Sequence, residues 1–242
     1  MPLRQRADRL LVARGLFESR AKAQAAIAAG LVTADAIMVQ RASDEIAIDA
    51  VLHAEPAHPW VSRGGVKLVA ALARFGFDPN GRVCLDVGAS TGGFTHVLLR
   101  HGARRIYAVD VGRDQLHASL KGRPEIVSLE QTDIRKLDPV HLPEPPDLVA
   151  IDVSFISLKL VLPAALALAK PPAQAVALIK PQFEAGRRHL KRGVVRDAEM
   201  HARVCDDIIA CIRACGWQVI GVVPSPISGG EGNREFLAGA TA

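Results

Sequence analysis

The chain has 242 residues, enough for one large or two smaller domains with a sizeable core. Apolar residues make up 49% and aromatics only 4%, so that core must be built from Ala, Val, Leu and Ile, as in a parallel sheet covered by helices. The net charge of +5 leans modestly toward a polyanionic partner, while the absence of a signal peptide and of any apolar run near the roughly 18 residues of a membrane span argues against export or membrane insertion and sets the expectation of a cytoplasmic protein.

From residue 1 to about 57 the chain reads as a small unit with segregated charge. Its first thirty residues carry Arg4, Arg6, Arg9, Arg14, Arg20 and Lys22 against Asp8 and Glu18. The next thirty carry Asp35, Asp44, Glu45, Asp49 and Glu55 against Arg41. Leu10, Leu11, Ala13 and Leu16 fit one helix that Gly15 stops near its end. Ser19 is placed to cap a second helix over 20–29, ended by Gly30. Short strand-like pieces follow at 31–33, 37–39 and 45–48.

Asp8, Gly15-Leu16, Ser19-Arg20 and Gly30-x-Val32, in that order and spacing, resemble the RNA-binding domain named after small-subunit ribosomal protein S-four. Two features depart from that family: its Val-Asn-Gly turn is replaced by Thr33-Ala34-Asp35-Ala36, and its Lys-Pro by Arg41-Ala42. The resemblance implies RNA binding, with Arg6, Arg9, Arg20 and Lys22 facing a folded RNA backbone. The competing explanation is that these cations are solvated faces of two helices.

Pro56-Ala-His-Pro59-Trp60 is a proline-punctuated joint, so residues 58–63 are expected as a linker and 64–242 as a second domain. A helix runs from Ser62-Arg63-Gly64-Gly65 to about Phe75, with Lys67 in its first turns. The apolar run Val83-Cys84-Leu85 then ends in Asp86, and the turn Gly88-Ala89-Ser90-Thr91-Gly92-Gly93 opens onto a helix near Phe94. In a doubly wound fold this is the first strand and the turn where a ligand meets the backbone. A second run over 105–109 ends in Asp110, followed by Val111, and an acid about 20 residues beyond the turn is placed to hold a ribose. The turn misses the G-x-G-x-x-G spacing of dinucleotide sites and resembles the Asp-x-Gly-x-x-x-Gly-Gly form of S-adenosylmethionine (SAM) methyltransferases. NAD binding and a purely structural glycine turn remain the alternatives at this stretch.

Alternation continues with a helix over 115–120, a strand over 125–129, and Asp133-Ile134, where the acid would reach the adenine of a bound SAM. A fourth strand ends in Asp152, a helix spans 158–169, and a fifth strand ends in Lys180-Pro181-Gln182-Phe183-Glu184. A basic loop, Arg187, Arg188, Lys191 and Arg192 among its residues, precedes a helix over 198–215. The last two strands, over 217–223 and from about 233, are joined by a turn-rich segment with no helix, which requires an antiparallel last strand. The expected architecture is therefore α/β: a Rossmann-like methyltransferase sheet with an antiparallel last strand, preceded by a small α+β domain. Cys84, Cys205, Cys211 and Cys215 form no Cys-x-x-Cys pair and are expected as buried, reduced thiols.

Lys67, Asp152, Lys180 and Glu235 stand in the order and on the elements of the Lys-Asp-Lys-Glu tetrad of FtsJ-type RNA ribose 2′-O-methyltransferases, which residues 60–242 resemble. The combination of the two domains, with Pro-Trp-Val-Ser-Arg63-Gly-Gly-x-Lys67-Leu, Ile-Asp152-Val-Ser-Phe-Ile-Ser-Leu, Lys180-Pro-Gln-Phe-Glu and Gly-Asn-x-Glu235-Phe, resembles the TlyA family, also called haemolysin A. That resemblance implies SAM-dependent 2′-O-methylation of cytidine in ribosomal RNA or ribosomal subunits. It also implies a basic RNA-facing surface that includes Arg63 and the 187–192 loop. A ribose hydroxyl is a weak nucleophile, and a lysine can take its proton only with a pKa brought down by burial or a neighbouring cation. Lys180 with Lys67 near it would meet that need, with Asp152 and Glu235 holding the two ammonium groups, but the two acids could equally raise the lysine pKa. No His/Cys/carboxylate cluster suggests a metal, and His189 and His201 are expected at the surface. The rival functions are an RNA-binding module with an inactive methyltransferase domain, methylation of a protein or small molecule, and a membrane-acting haemolysin. The last lacks any strongly amphipathic basic helix in its favour.

Overall fold

The computed structural model describes residues 3–229 and 232–242, and the chain separates between Pro59 and Trp60 into two compact units. Gly230 and Glu231, in the turn-rich segment before the last strand, lie outside the described residues.

The first unit contains β1 (Arg4–Arg6), α1 (Ala7–Ala13), α2 (Arg20–Ala28), β2 (Val32–Ala34), β3 (Ile37–Met38), β4 (Glu45–Ala47) and β5 (Leu52–Ala54). The strands form a β1-β4 pair and a β3-β2-β5 sheet, all antiparallel. Ala7, Leu11, Ala23, Ala26 and Ile27 bury the facing sides of the two helices, and alanines let the helices approach closely. Ser19 caps α2 by accepting a hydrogen bond from Lys22 N–H. The β2–β3 turn is a two-residue hairpin in which Asp35 and Ala36 both take positive φ, 50° and 63°, a geometry usually given to Asn-Gly. Leu16 lies beyond the end of α1 and is exposed, not part of the helix.

The second unit contains α3 (Gly64–Phe75), β6 (Val83–Val87), α4 (Gly93–Arg100), β7 (Arg105–Val109), β8 (Ile126–Leu129), β9 (Leu148–Ile151), α5 (Leu158–Ala167), β10 (Gln174–Ile179), α6 (Pro181–Glu184), α7 (Ala198–Ala214), β11 (Gln218–Pro224) and β12 (Phe236–Thr241). Its seven strands run in the order β11-β12-β10-β9-β6-β7-β8. The pairs from β10 through β8 are parallel, and β12 is antiparallel to both β10 and β11, as the missing helical crossover requires. Period-2 alternation divides the sheet between two cores. Val83, Leu85 and Val87 pack with α5 and α7, while Cys84, Leu148 and Leu178 pack with α3 and α4. Asp86 falls on the second of these faces, which delivers its carboxylate to the start of α4.

Four local expectations are corrected. Residues 115–120 form turns, not a helix: the Glu130 carboxylate takes the N–H groups of Asp114, Gln115 (2.9 Å) and Leu116 (3.2 Å), leaving a side-chain-capped turn that buries Leu116 and Leu120. His201 is buried, and its ring Nε2–H donates to Val195 O at 3.0 Å. All four cysteines are free, but only Cys84 is buried; burial pushes its thiol up, while the other three are partly exposed. The last strand starts at Phe236, so Glu235 precedes it.

Candidate active site

A cleft of about 660 Å³ opens at the carboxyl ends of β6, β9 and β10, where ligands sit in open parallel sheets. Lys67, Asp152, Lys180 and Glu235 all line it, together with Gly88, Ser90, Thr91, Gly93 and Phe94 of the glycine turn. Four elements distant in sequence thus bring the four charged side chains to one place. α3 supplies Lys67, the residue after β9 supplies Asp152, the residue after β10 supplies Lys180, and the residue before β12 supplies Glu235.

The four form two pairs. Lys67 Nζ lies 2.5 Å from Glu235 Oε2, with both residues buried. Lys180 Nζ donates to Ser154 Oγ at 2.7 Å and lies 2.6 Å from Asp152 Oδ1, an ion contact outside hydrogen-bond alignment. Asp152 Oδ1 therefore keeps a lone pair unspent. Charges so placed are stable only as pairs, since stripping one partner leaves a desolvated ion.

The glycine turn is shaped for close approach. Gly88 takes φ +85°, and a Cβ there would lie 2.4 Å from Asp152 O, so only glycine lets this turn pass against the one after β9. Gly92 takes φ +89° at the start of α4, whose first N–H groups have no side-chain cap. Asp110 ties the two neighbouring loops: Ser90 N–H donates to its Oδ2 at 2.8 Å and Gly112 N–H to its Oδ1 at 2.7 Å. Asp86 is fully buried, and Thr95 Oγ1–H donates to its Oδ2 at 2.6 Å. Burial, with the Asp152 and Asp110 charges as smaller contributors, pushes Asp86 up to about 7. Asp133 caps a short 3₁₀ turn and its carboxylate lies against Arg135, which lowers it to about 2. Ile134 is buried, whereas Val111 is 74% exposed.

The expected RNA-facing cations are divided between the units. Arg6 and Arg20 both turn onto Asp8, which is buried and also accepts from Gln24. The Arg6 hydrogen bond foremost, then Arg20 and Gln24, hold Asp8 well below the usual carboxylate range. Lys22 pairs with Glu18 at 2.5 Å, and Arg9 is exposed. In the second unit Arg63 is exposed and lines the cleft, while Arg187, Arg188, Lys191 and Arg192 are exposed on a loop whose Leu190 and Gly193 reach the cleft wall.

Three contributors escaped the sequence reading. Ser154 holds Lys180. Phe155 is 92% exposed with φ +65°, and its ring centroid lies 5.2 Å from that of Phe183 at the cleft. Glu184 locks the two loops together, accepting from Ser157 Oγ at 2.5 Å and from Leu158 N at 2.7 Å. Their signal lay in the two motifs that contain them, Asp-Val-Ser-Phe and Lys-Pro-Gln-Phe-Glu.

The sequence pattern of FtsJ-like methyltransferases matches residues 60–242, all of the unit that carries this cleft. The chain belongs to the FtsJ-like methyltransferase family. Among its relatives is the 16S/23S rRNA (cytidine-2′-O)-methyltransferase TlyA of Mycobacterium tuberculosis, 44% identical over 98% of this chain and 90% of that protein. A solved structure of a candidate hemolysin from Streptococcus thermophilus is 41% identical and superposes with a TM-score of 0.78 over 100% of this chain and 89% of that one. The wider fold is shared with an S-adenosylmethionine-dependent methyltransferase from Mesorhizobium loti, 14% identical, TM-score 0.55, over 73% of this chain and 98% of that one. Within the FtsJ-like frame, the paired lysines and carboxylates stand beside the glycine turn. Among the described residues, no helix is long and apolar enough to cross a membrane.

Proposed function

We propose that this FtsJ-like protein transfers a methyl group from SAM to the 2′-hydroxyl of a cytidine ribose in ribosomal RNA. The observation that carries the proposal is Lys180, held by Asp152 and Ser154 in the same cleft as the glycine turn. The name of the Mycobacterium tuberculosis relative supports the substrate class.

The residues fit SAM. The open turn at Gly88 lets a ligand meet the backbone, and Asp110, with lone pairs left after binding two N–H groups, would accept from the ribose hydroxyls. Asp86, Ser90, Thr91, Gly92, Gly93, Phe94 and Val111 would complete that side, and Asp133 with Ile134 would meet the adenine. SAM supplies an already activated methyl group, so the protein's share is alignment and removal of one proton. Bound there, SAM would supply the methyl group and keep the electron pair of its carbon–sulfur bond, and Lys180 Nζ would take the proton that the 2′-hydroxyl loses. Asp152 and Ser154 aim that nitrogen. Lys67, fixed by Glu235, places a second amine in the same cleft.

In this reading residues 1–57 serve as an S-four-like RNA-binding domain, 58–63 as a linker and 64–242 as the methyltransferase domain. Arg9 and Lys22, with the outward faces of Arg6 and Arg20, meet RNA phosphates, and Arg63 and the 187–192 loop do so near the cleft. The partner is a ribosomal subunit or its RNA, consistent with work in the cytoplasm. Exposed Phe155, backed by half-buried Phe183, offers a ring surface on which a base can rest.

The test is transfer of tritiated methyl from SAM to unmodified ribosomal subunits and to naked ribosomal RNA. The expected product is label in a nuclease-resistant 2′-O-methyl dinucleotide. Label on a base, or SAM binding with no transfer to either subunit, would overturn the proposal.

A further inference from the structure

The loop between Gly186 and Gly193 concentrates four cations, Arg187, Arg188, Lys191 and Arg192, all exposed. Its two ends are glycines with φ of 76° and 78°, so the backbone turns sharply on each side. Inside it are only one 3₁₀ turn, Arg187–His189, and one bridge, Lys191 to Val194. Like charges this dense repel, and the apolar anchors nearby are Leu190, packed against the core, and buried Val195. A polar contact fixes the stem of the loop as well.

One buried amide does so. Asn233 is 3% exposed; its Nδ2–H donates to Gly193 O at 3.0 Å and its Oδ1 accepts from Val195 N–H at 3.3 Å. Both bonds fall on the carboxyl-side stem of the basic loop. His201 on α7 braces the same stem through Val195 O. The backbone of Asn233 belongs to the turn that carries Glu235: Gly229 N–H donates to Asn233 O at 2.8 Å, and Ser225 N–H donates to Glu235 O at 2.9 Å. Asn233 therefore joins the stem of the basic loop to the segment that places a cleft carboxylate, two residues apart in sequence.

We propose that Asn233 is a positioning residue that sets the register between the RNA-gripping loop and the reacting centre. A phosphate held by the loop then brings its ribose to Lys180 rather than past it. This rests on the proposed RNA methyltransferase function.

The test compares Asn233→Ala and Asn233→Asp with an Arg187→Ala/Arg188→Ala loop variant, in methyl transfer to unmodified ribosomal subunits. Asn233→Asp keeps an acceptor for Val195 N–H and turns the donor to Gly193 O into a carboxylate oxygen that repels that carbonyl, and SAM affinity reports whether each variant has kept the fold of the methyltransferase unit. Both Asn233 variants should raise KM for the subunit about tenfold, the scale of one or two buried hydrogen bonds, and lower kcat less. Both should also flatten the salt dependence of RNA binding, which a general loss of stability would not do, and leave SAM affinity unchanged. A raised KM in the loop variant with unchanged KM and salt slope in both Asn233 variants would overturn the positioning role alone. An unchanged KM in the loop variant would sink the RNA grip of this loop, and the positioning role with it.

Discussion

The Lys67–Glu235 pair gives a sharp test of how the cleft is held. Lys67 is 8% exposed and Glu235 2%, and their charged atoms lie 2.5 Å apart. Replacing Lys67 with Met removes the ammonium and leaves a carboxylate stranded out of water, which costs about 3–5 kcal/mol. Glu235→Leu strands the lysine instead, with a cost of similar size. The double variant removes both ions and keeps the volume, so it should return to within about 1–2 kcal/mol of the parent. Urea unfolding followed by tryptophan fluorescence reads this cleanly, because both tryptophans, Trp60 and Trp217, belong to the unit that holds the pair. With a slope of about 3 kcal/mol per molar urea, each single variant should shift the midpoint down by about 1–1.7 M and the double by far less. Methyl transfer should be lost in all three, which separates the structural role of the pair from its place in the reaction. Single costs below about 1 kcal/mol that simply add in the double variant would refute the reasoning.

Three further outcomes can be checked. Asp110→Ala should weaken SAM binding at least tenfold in calorimetry, since it loses the ribose acceptor and frees Ser90 and Gly112; unchanged affinity would remove Asp110 from the cofactor side. Burial raises Asp86 from 3.8 to about 7, so the folded state carries a proton that the unfolded chain has released. That contribution is complete below pH 3.8 and is lost as pH rises through about 7, a fall of roughly 4 kcal/mol at most. Asp86→Asn should therefore gain stability relative to the parent as pH rises across this window, and parallel stability curves for the two proteins would contradict the shift. Arg9→Glu with Lys22→Glu should weaken RNA binding and flatten its salt slope without the loss of folding expected at Arg20, which holds buried Asp8. An unaltered slope would place the RNA elsewhere.

What the sequence reveals of this fold follows from where local pattern and tertiary need agree. The glycine turn, the runs ending in Asp86, Asp110 and Asp152, and the antiparallel last strand were legible because strand period, turn chemistry and crossover length each leave a local mark. The 115–120 segment was not: its apolar spacing suits a helix, but Glu130, distant in sequence, takes the N–H groups and makes a turn. His201 looked like a surface residue for the same reason, since its partner is a backbone carbonyl beyond its own helix. At the cleft, resemblance to the FtsJ-type tetrad, in its chain order, pointed to the four charged residues, yet it could not say how they pair. Ser154 beside Lys180, and the aromatic pair Phe155–Phe183, depend on two loops meeting in space. Nothing local in the sequence marks that Arg6 and Arg20 converge on buried Asp8.

The central claim is that Lys180 takes the proton from the ribose hydroxyl while other residues hold the cofactor. Lys180→Ala, measured by calorimetric SAM binding and by single-turnover methyl transfer to unmodified ribosomal subunits, tests it most directly. SAM affinity should stay within about twofold of the parent while the transfer rate falls by a factor on the order of 100 to 10,000. Transfer at the parental rate would remove Lys180 from the reaction and contradict the account.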